Sequence, residues 1–409
     1  MLTRRATVRA GIAALALALA PTAFAPHAAA QDGAPIKIGE INSYTRMAAF
    51  TEPYKKGWEL ALEEINAAGG INGRPLEVLS RDDTGDPATA IRIADELVNR
   101  DKVVMIFGTF LSNIGLAVSD FANQSQTLFL ASEPLTDALI WSKGNRYTYR
   151  LRPGTTMQAA MLAEQAAKTD AVKWVTIAPN YAYGTDAVEA FKRELTKLKP
   201  EVEFVEEQWP TLFKIDAGSA VRALEQAKPD GIYNVTFGGD LAKFVREGSL
   251  RGLFDDRVVV SLLSGEPEYL EPLGGEAPEG WIVTGYPGFD VDTPEHKAFA
   301  DAYEAKWGEE PKTGSIVGYN SMMTIKALLE TARSMQTDAL LETMEGLRVD
   351  SPTGPFLYRP VDNQATMGAY VGKTGLVDGK PRMVDWHYAA GEAYLPSEAD
   401  ALKLRPDSQ

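Results

Sequence analysis

Cysteine is absent from this sequence of 409 residues, and histidine occurs only three times. Without cysteine the chain can form no disulfide, offers no thiol nucleophile and cannot carry a lipid on a cysteine. Histidine usually activates a serine nucleophile, and histidine and cysteine are the usual ligands of zinc. Only His296 and His387 follow residue 30, and neither lies near a nucleophile motif. The sequence therefore indicates neither a catalytic triad nor a metal site.

Long apolar runs are also missing. The apolar residues 11–20 form a run much shorter than the roughly 20 residues that a membrane-spanning helix needs. Arg4, Arg5 and Arg9 precede this run, and three alanines at 28–30 follow it, which is typical of a cleaved export signal. We predict a signal peptide over residues 1–30, cleavage between Ala30 and Gln31, and a mature periplasmic protein without a lipid anchor. The paired arginines leave the twin-arginine and general export routes open.

Basic residues are fewer than acidic residues. The chain carries 41 lysines and arginines against 56 acidic residues, a net charge of −15. Loss of the three arginines of the signal would change the charge from −15 to −18. Nucleic acids and anionic lipids bind basic surfaces, so we expect neither as a partner.

Strand and helix patterns alternate along most of the chain. Trp58, Ala61, Leu62 and Ile65 form a helical stripe that predicts a helix over 53–68. Further helices are predicted at 87–100, 114–122, 156–168, 186–197, 219–227 and 241–247. Strands are predicted at 36–41, 76–80, 103–107, 128–131, 174–178, 202–208, 231–235 and 258–262. This alternation is typical of parallel sheets covered by helices on both faces, and its restart after residues 147–152 predicts two such sheets.

The last third of the chain has a different pattern. It combines predicted helices at 294–307, 317–334 and 338–344 with short extended pieces at 356–359, 368–372 and 383–388. We expect the helices to pack on the first sheet and the extended pieces on the second. The chain would then cross between two lobes three times.

Five short motifs follow one another in a characteristic order. They are AAGGINGRPL at 67–76, DDTGDP at 82–87, YAYG at 181–184, PEGW at 278–281 and GPF at 354–356. Together they resemble the leucine/isoleucine/valine-binding branch of the type I periplasmic binding proteins, which are receptors of ABC importers. The resemblance implies an α/β fold of two doubly wound parallel-sheet lobes, joined by three crossover strands near 149–153, 284–286 and 353–357. The first lobe would contain 36–149 with 286–352, and the second 150–285 with 353–409.

The resemblance also implies a ligand site in the cleft. The loop after the third strand, with Phe110, Ser112 and Asn113, would hold the carboxylate of the ligand at a helix N-terminus, where free N–H groups and the helix dipole favour anions. The alternative is that Ser112 only caps the helix. Tyr183 and Phe237 would cover the ligand from the second lobe, and Asn42 and Tyr44 would line the edge of the first.

Two leucines depart from the pattern of amino-acid receptors. Leu135 and Leu263 stand where the resemblance implies acceptors for an ammonium group, and the nearby Ser132 and Ser264 are further candidate ligand contacts. Burying an ammonium group without acceptors is costly. Glu133, Asp240 or Glu266 could replace those acceptors, or could be solvated loop residues.

The expected ligand is therefore a small aromatic or aliphatic carboxylate, with a branched-chain amino acid left open. The expected protein partner is the membrane permease of an ABC importer, and we expect a monomer. The alternative function is a ligand-sensing regulator of the amide-sensor type, against which the export signal argues. The sequence contains no G-x-G-x-x-G fingerprint and no phosphate-binding loop, so we expect no cofactor and no enzymatic activity.

Overall fold

The computed structural model describes Met1, Leu2 and residues 33–405. Apart from its first two residues, the predicted signal peptide lies outside the described residues, as do 406–409. The strands of the described part are β1 (Ile36–Asn42), β2 (Leu76–Asp82), β3 (Ile106–Gly108), β4 (Phe129–Ala131), β5 (Thr148–Arg150), β6 (Lys173–Ile177), β7 (Glu203–Gln208), β8 (Gly231–Asn234), β9 (Val258–Gly265), β10 (Ile282–Gly285), β11 (Arg348–Val349), β12 (Phe356–Leu357), β13 (Ala369–Val377) and β14 (Lys380–Ala389).

The same part of the chain contains twelve α-helices, none of which is both long and apolar enough to span a membrane. They are α1 (Ala48–Ala67), α2 (Pro87–Asp95), α3 (Ser112–Ser125), α4 (Thr155–Ala166), α5 (Ala182–Leu198), α6 (Ala217–Gln226), α7 (Gly238–Leu250), α8 (Pro267–Leu270), α9 (Pro294–Trp307), α10 (Thr313–Thr331), α11 (Thr337–Met344) and α12 (Glu398–Leu404).

The first sheet has five parallel strands in the order β2-β1-β3-β4-β5. Strands β3, β4 and β5 are buried along their whole length, as expected for a parallel sheet covered on both faces. Helix α1 packs along α10 and against β2, whereas α2 and α3 pack together beside β1, β4 and β5. We call this sheet and its helices the first lobe.

The second sheet has seven strands in the order β14-β13-β10-β9-β8-β6-β7. The strands from β10 to β7 are parallel, and β13 and β14 add an antiparallel edge. We call this sheet, with α4 to α8, the second lobe. The predicted fold class, an α/β fold with parallel sheets flanked by helices, is confirmed.

Several elements extend beyond their predicted bounds. Helix α1 begins at Ala48 and includes Pro53, at which the sequence pattern placed the helix start. Proline there has no N–H to donate and its ring crowds the carbonyl group four residues earlier, so α1 carries a local cost at this position. Strands β13 and β14 run beyond the predicted pieces because they pair with each other over their length, a contact that local patterns do not encode.

The chain passes between the lobes after β5, after β10 and again near the C-terminal end. In the last case, the segment after β12 stays on the first lobe: Tyr358 contacts the ring of Tyr149 at 5.9 Å between centroids, and Gln364 pairs with Arg150 of β5. These contacts favour a third crossing between Gln364 and β13, later than the predicted segment 353–357. The bounds of the two lobes stay a prediction.

Candidate functional site

A narrow pocket with a free volume of about 20 Å³ lies between the lobes, beyond the carboxyl ends of the parallel strands. Seven of the fourteen candidate residues named from the sequence line it: Phe110, Ser112, Glu133, Leu135, Tyr183, Phe237 and Leu263. Arg152, Tyr181 and Tyr269 complete the lining. The contact of these residues with a ligand stays a prediction.

Aromatic rings from both lobes form the wall of the pocket. Phe237, just before α7, lies with its ring centroid 5.7 Å from Tyr183, 6.4 Å from Phe110 and 6.3 Å from Tyr269. Phe50 of α1 extends the wall, at 4.9 Å from Phe110. Such spacings are those of favourable aromatic pairs. The wall can therefore cover an apolar or aromatic ligand body from two sides.

The N-terminus of α3 faces this pocket. Helix α3 begins at Ser112, and Leu111 occupies the N-cap position, so the alternative in which Ser112 caps the helix is not supported. The Oγ atom of Ser112 accepts a hydrogen bond from the N–H of Thr136 at 3.3 Å. The hydroxyl can still donate, and the first N–H groups of a helix have no intrahelical partner. This end of the pocket is suited to a carboxylate.

A tight turn brings α3 to this position. Gly108 at the end of β3 has a φ of 109°, and Thr109 has a φ of 61°. A Cβ at Gly108 would lie 2.4 Å from the carbonyl oxygen of Ile41, so only glycine fits this close approach of two strands. The glycine therefore allows α3 to begin directly above the sheet.

Arg152 joins the two lobes at the base of the pocket. Its Nη1 contacts Oε2 of Glu133 at 3.1 Å, and its Nη2 contacts Oε1 of Glu266 at 2.5 Å. Its guanidinium also lies 5.6 Å from the ring centroid of Phe50. Burial raises the pKa of Glu133 to about 8, although Arg152 acts in the opposite direction. Burial and the neighbouring Glu266 raise the pKa of Glu268 to about 8.

The two unusual leucines and the three candidate acids occupy different places. Leu135 and Leu263 both line the pocket as buried apolar groups. Glu133 also lines the pocket, beside them. Glu266 does not line it, but is ion-paired with Arg152, which does. Asp240 lies outside the lining, where its Oδ1 accepts from the N–H of Ile215 at 3.4 Å.

A sequence profile of the periplasmic binding protein family matches residues 35–380. The chain belongs to this family. It is 27% identical over 345 residues to Leu/Ile/Val-binding protein homolog 7 of Brucella suis, covering 79% of this chain and 84% of that protein. It is 26% identical over 344 residues to the leucine-, isoleucine-, valine-, threonine- and alanine-binding protein of Pseudomonas aeruginosa, covering 82% and 88%.

Solved structures show the same fold at low sequence identity. A solute-binding protein of an ABC transporter from Rhodopseudomonas palustris, in complex with 3,4-dihydroxybenzoic acid, superimposes with a TM-score of 0.78 at 23% identity, over 87% of this chain and 98% of that one. A branched-chain amino acid transporter substrate-binding protein from Streptococcus pneumoniae, in complex with isoleucine, gives 0.75 at 23% identity, over 87% and 99%. These relatives are all named as binding proteins.

In this periplasmic binding protein, the other seven candidate residues do not line the pocket. Besides Asp240 and Glu266 they are Asn42, Tyr44, Asn113, Ser132 and Ser264. Most make contacts within their own lobe. Tyr54 donates to Oγ of Ser132 at 3.0 Å, and Ser264 shares a hydrogen bond with Ser261 at 2.5 Å. Such residues support the loops that carry the lining.

Arg152, Phe50 and Tyr269 were not among the predicted site residues. Arg152 is the last residue of the predicted extended segment 147–152, just beyond the carboxyl end of β5 at Arg150. Ligands of parallel sheets bind at these ends, so that position was a usable signal. Phe50 and Tyr269 lie within helices, where an aromatic residue usually belongs to the core. No local sequence pattern identifies them as pocket residues.

Proposed function

We propose that this protein is the periplasmic receptor of an ABC importer, which encloses a small apolar or aromatic carboxylate between its lobes and delivers it to a membrane permease. The observation that carries the proposal is the combination, in one interlobe pocket, of an aromatic wall with the free N-terminus of α3. The names of solved relatives support a small carboxylate, since they include 3,4-dihydroxybenzoic acid, 4-hydroxybenzoate, benzoate and isoleucine.

The buried leucines favour a ligand without an ammonium group. Leu135 and Leu263 present apolar surface to the pocket and offer no acceptor. An ammonium group against them would lose its hydration without compensation, unless Glu133 accepted it. A carboxylate with an apolar body meets no such penalty.

We expect 4-methylpentanoate and 3-phenylpropanoate to bind at least about tenfold more tightly than leucine and phenylalanine, their counterparts with an α-ammonium group. Titration calorimetry with the mature protein measures the two pairs. The carbon skeleton is the same within each pair, so any difference reports the ammonium group alone. Tight binding of an amino acid and weak binding of its amine-free counterpart would refute this ligand class.

The variant Ser112→Ala tests the carboxylate end of the pocket. We expect it to weaken binding of 3-phenylpropanoate by about 1 to 3 kcal/mol, the range for a lost hydrogen bond to a charged group. The variant Ser264→Ala, outside the lining, is the matched control and should change affinity little. The amide of 3-phenylpropanoate should bind poorly to the wild-type protein, and equal affinity for acid and amide would exclude carboxylate recognition.

A further inference from the structure

The base of the closed cleft holds more carboxyl groups than it can neutralise. Glu133, Glu266 and Glu268 are 3%, 1% and 3% exposed, and the buried cation in contact with the first two is Arg152, at 6%. One guanidinium balances one carboxylate. Enclosing an anionic ligand here would add a further negative charge to a site that excludes water, where like charges repel strongly.

Glu133 is the carboxyl group that meets the ligand space. It lines the pocket, its Oε2 contacts Arg152, and its buried Oε1 has no hydrogen-bond partner among the described residues. Glu266 lies closer to Arg152, at 2.5 Å, and is outside the lining. Glu268 accepts from the N–H of Gly314 at 2.7 Å, on the other side of the cluster.

We infer that Glu133 determines the charge of the ligand: it takes up a proton when the cleft closes on an anion, and its Oε1 then donates a hydrogen bond to that ligand. The inference rests on the proposed function, because it requires a carboxylate ligand. Protonation of Glu133 would leave Arg152 paired with Glu266 and remove the repulsion between Glu133 and the ligand.

The surroundings of Glu133 favour the neutral form in the closed cleft. Burial raises its pKa to about 8, and the neighbouring Glu266 and Glu268 act in the same direction. Arg152 acts against them through charge and hydrogen bonding. The hydroxyls of Tyr54 and Tyr269 also interact with Glu133, and burial raises the pKa of both well above 10, so they are neutral at physiological pH.

Proton uptake by Glu133 fixes the direction in which ligand affinity changes with pH. In an open, hydrated cleft, Glu133 would titrate near its ordinary value and be ionised at neutral pH. Affinity for an anion should then fall about tenfold for each unit of pH between about pH 6 and pH 8, since one proton enters with the ligand. An ammonium ligand would prefer ionised Glu133, and its affinity would not fall over this range.

Titration calorimetry of the mature protein with 3-phenylpropanoate tests this at neutral pH, in buffers with different enthalpies of ionisation. We expect uptake of nearly one proton per ligand by the wild-type protein. Glu133→Gln, which is neutral and can still donate, should bind the acid without proton uptake and with an affinity independent of pH. Glu40→Gln is the matched control, because Glu40 is a buried carboxyl outside the pocket whose pKa burial also raises to about 8. It should retain the uptake.

The outcomes separate the two proposals. Binding of the acid without proton uptake by the wild-type protein overturns the inference and leaves the proposed function standing. Uptake that persists in Glu133→Gln also overturns it. Failure of the wild-type protein to bind any amine-free acid overturns both. The wild-type measurement alone decides the proton uptake if Glu133→Gln does not fold.

Discussion

Arg152→Met is expected to lower the free energy of unfolding by about 3 to 5 kcal/mol, because it leaves Glu133 and Glu266 buried without their cation. The variant should also lose ligand binding, since Arg152 lines the pocket and joins the lobes. Urea unfolding followed by tryptophan fluorescence measures the stability, and calorimetry measures the binding.

The loss of stability should depend on pH. Burial raises the pKa of both glutamates, and removal of Arg152 raises them further, so the folded variant holds protons that its unfolded chain releases. Stability of the variant is therefore highest below the ordinary glutamate pKa and falls as the pH rises through the raised values. The destabilisation should be larger at pH 8 than at pH 5.

The matched control is Arg246→Met. Arg246 also bonds a glutamate, Glu276 at 2.6 Å, but both side chains are more than half exposed. Exposed ion pairs contribute less than about 1 kcal/mol to stability, so this variant should have nearly the free energy of unfolding of the wild type. A similar small effect at both arginines would show that the buried cluster does not hold the lobes together.

Local sequence patterns predicted the order of strands and helices because that order is encoded in short windows. The stripe of Trp58, Ala61 and Ile65 lies within α1, and all three residues are buried. The resemblance to the binding-protein family predicted Ser112 and Phe237 as site residues, and both line the pocket, in loops that follow parallel strands, where such sheets bind ligands.

The remaining features arise from contacts between distant segments. The pairing of Arg152 with Glu266 joins residues separated by 114 positions, across the cleft. The strand-end position of Arg152 marks it only as a candidate, and its burial between Glu133 and Glu266 depends on contacts between distant segments. The contact that favours a later third crossing, the pairing of Gln364 with Arg150, likewise spans 214 positions.

The packing of α1 on α10 is a further long-range feature, and three glycines allow it. A Cβ at Gly57 would lie 1.9 Å from the carbonyl oxygen of Ser315, and one at Gly318 would lie 2.1 Å from that of Tyr54. Gly314 faces the carbonyl oxygen of Phe50 at 2.4 Å in the same way. The two helix backbones therefore touch, and no side-chain rotation can relieve an added methyl group.

Gly57→Ala is expected to destabilise the protein by about 3 kcal/mol or more, because the helices must separate to admit the methyl group into a packed core. Gly218→Ala is the matched control in α6, where the nearest atom would lie 3.6 Å from the new Cβ. Alanine favours a helix over glycine by up to about 1 kcal/mol, so this control should gain stability. Urea unfolding of the two variants should therefore shift in opposite directions. A gain of stability in both variants would mean that helix propensity outweighs the backbone contact at position 57, and would contradict this prediction.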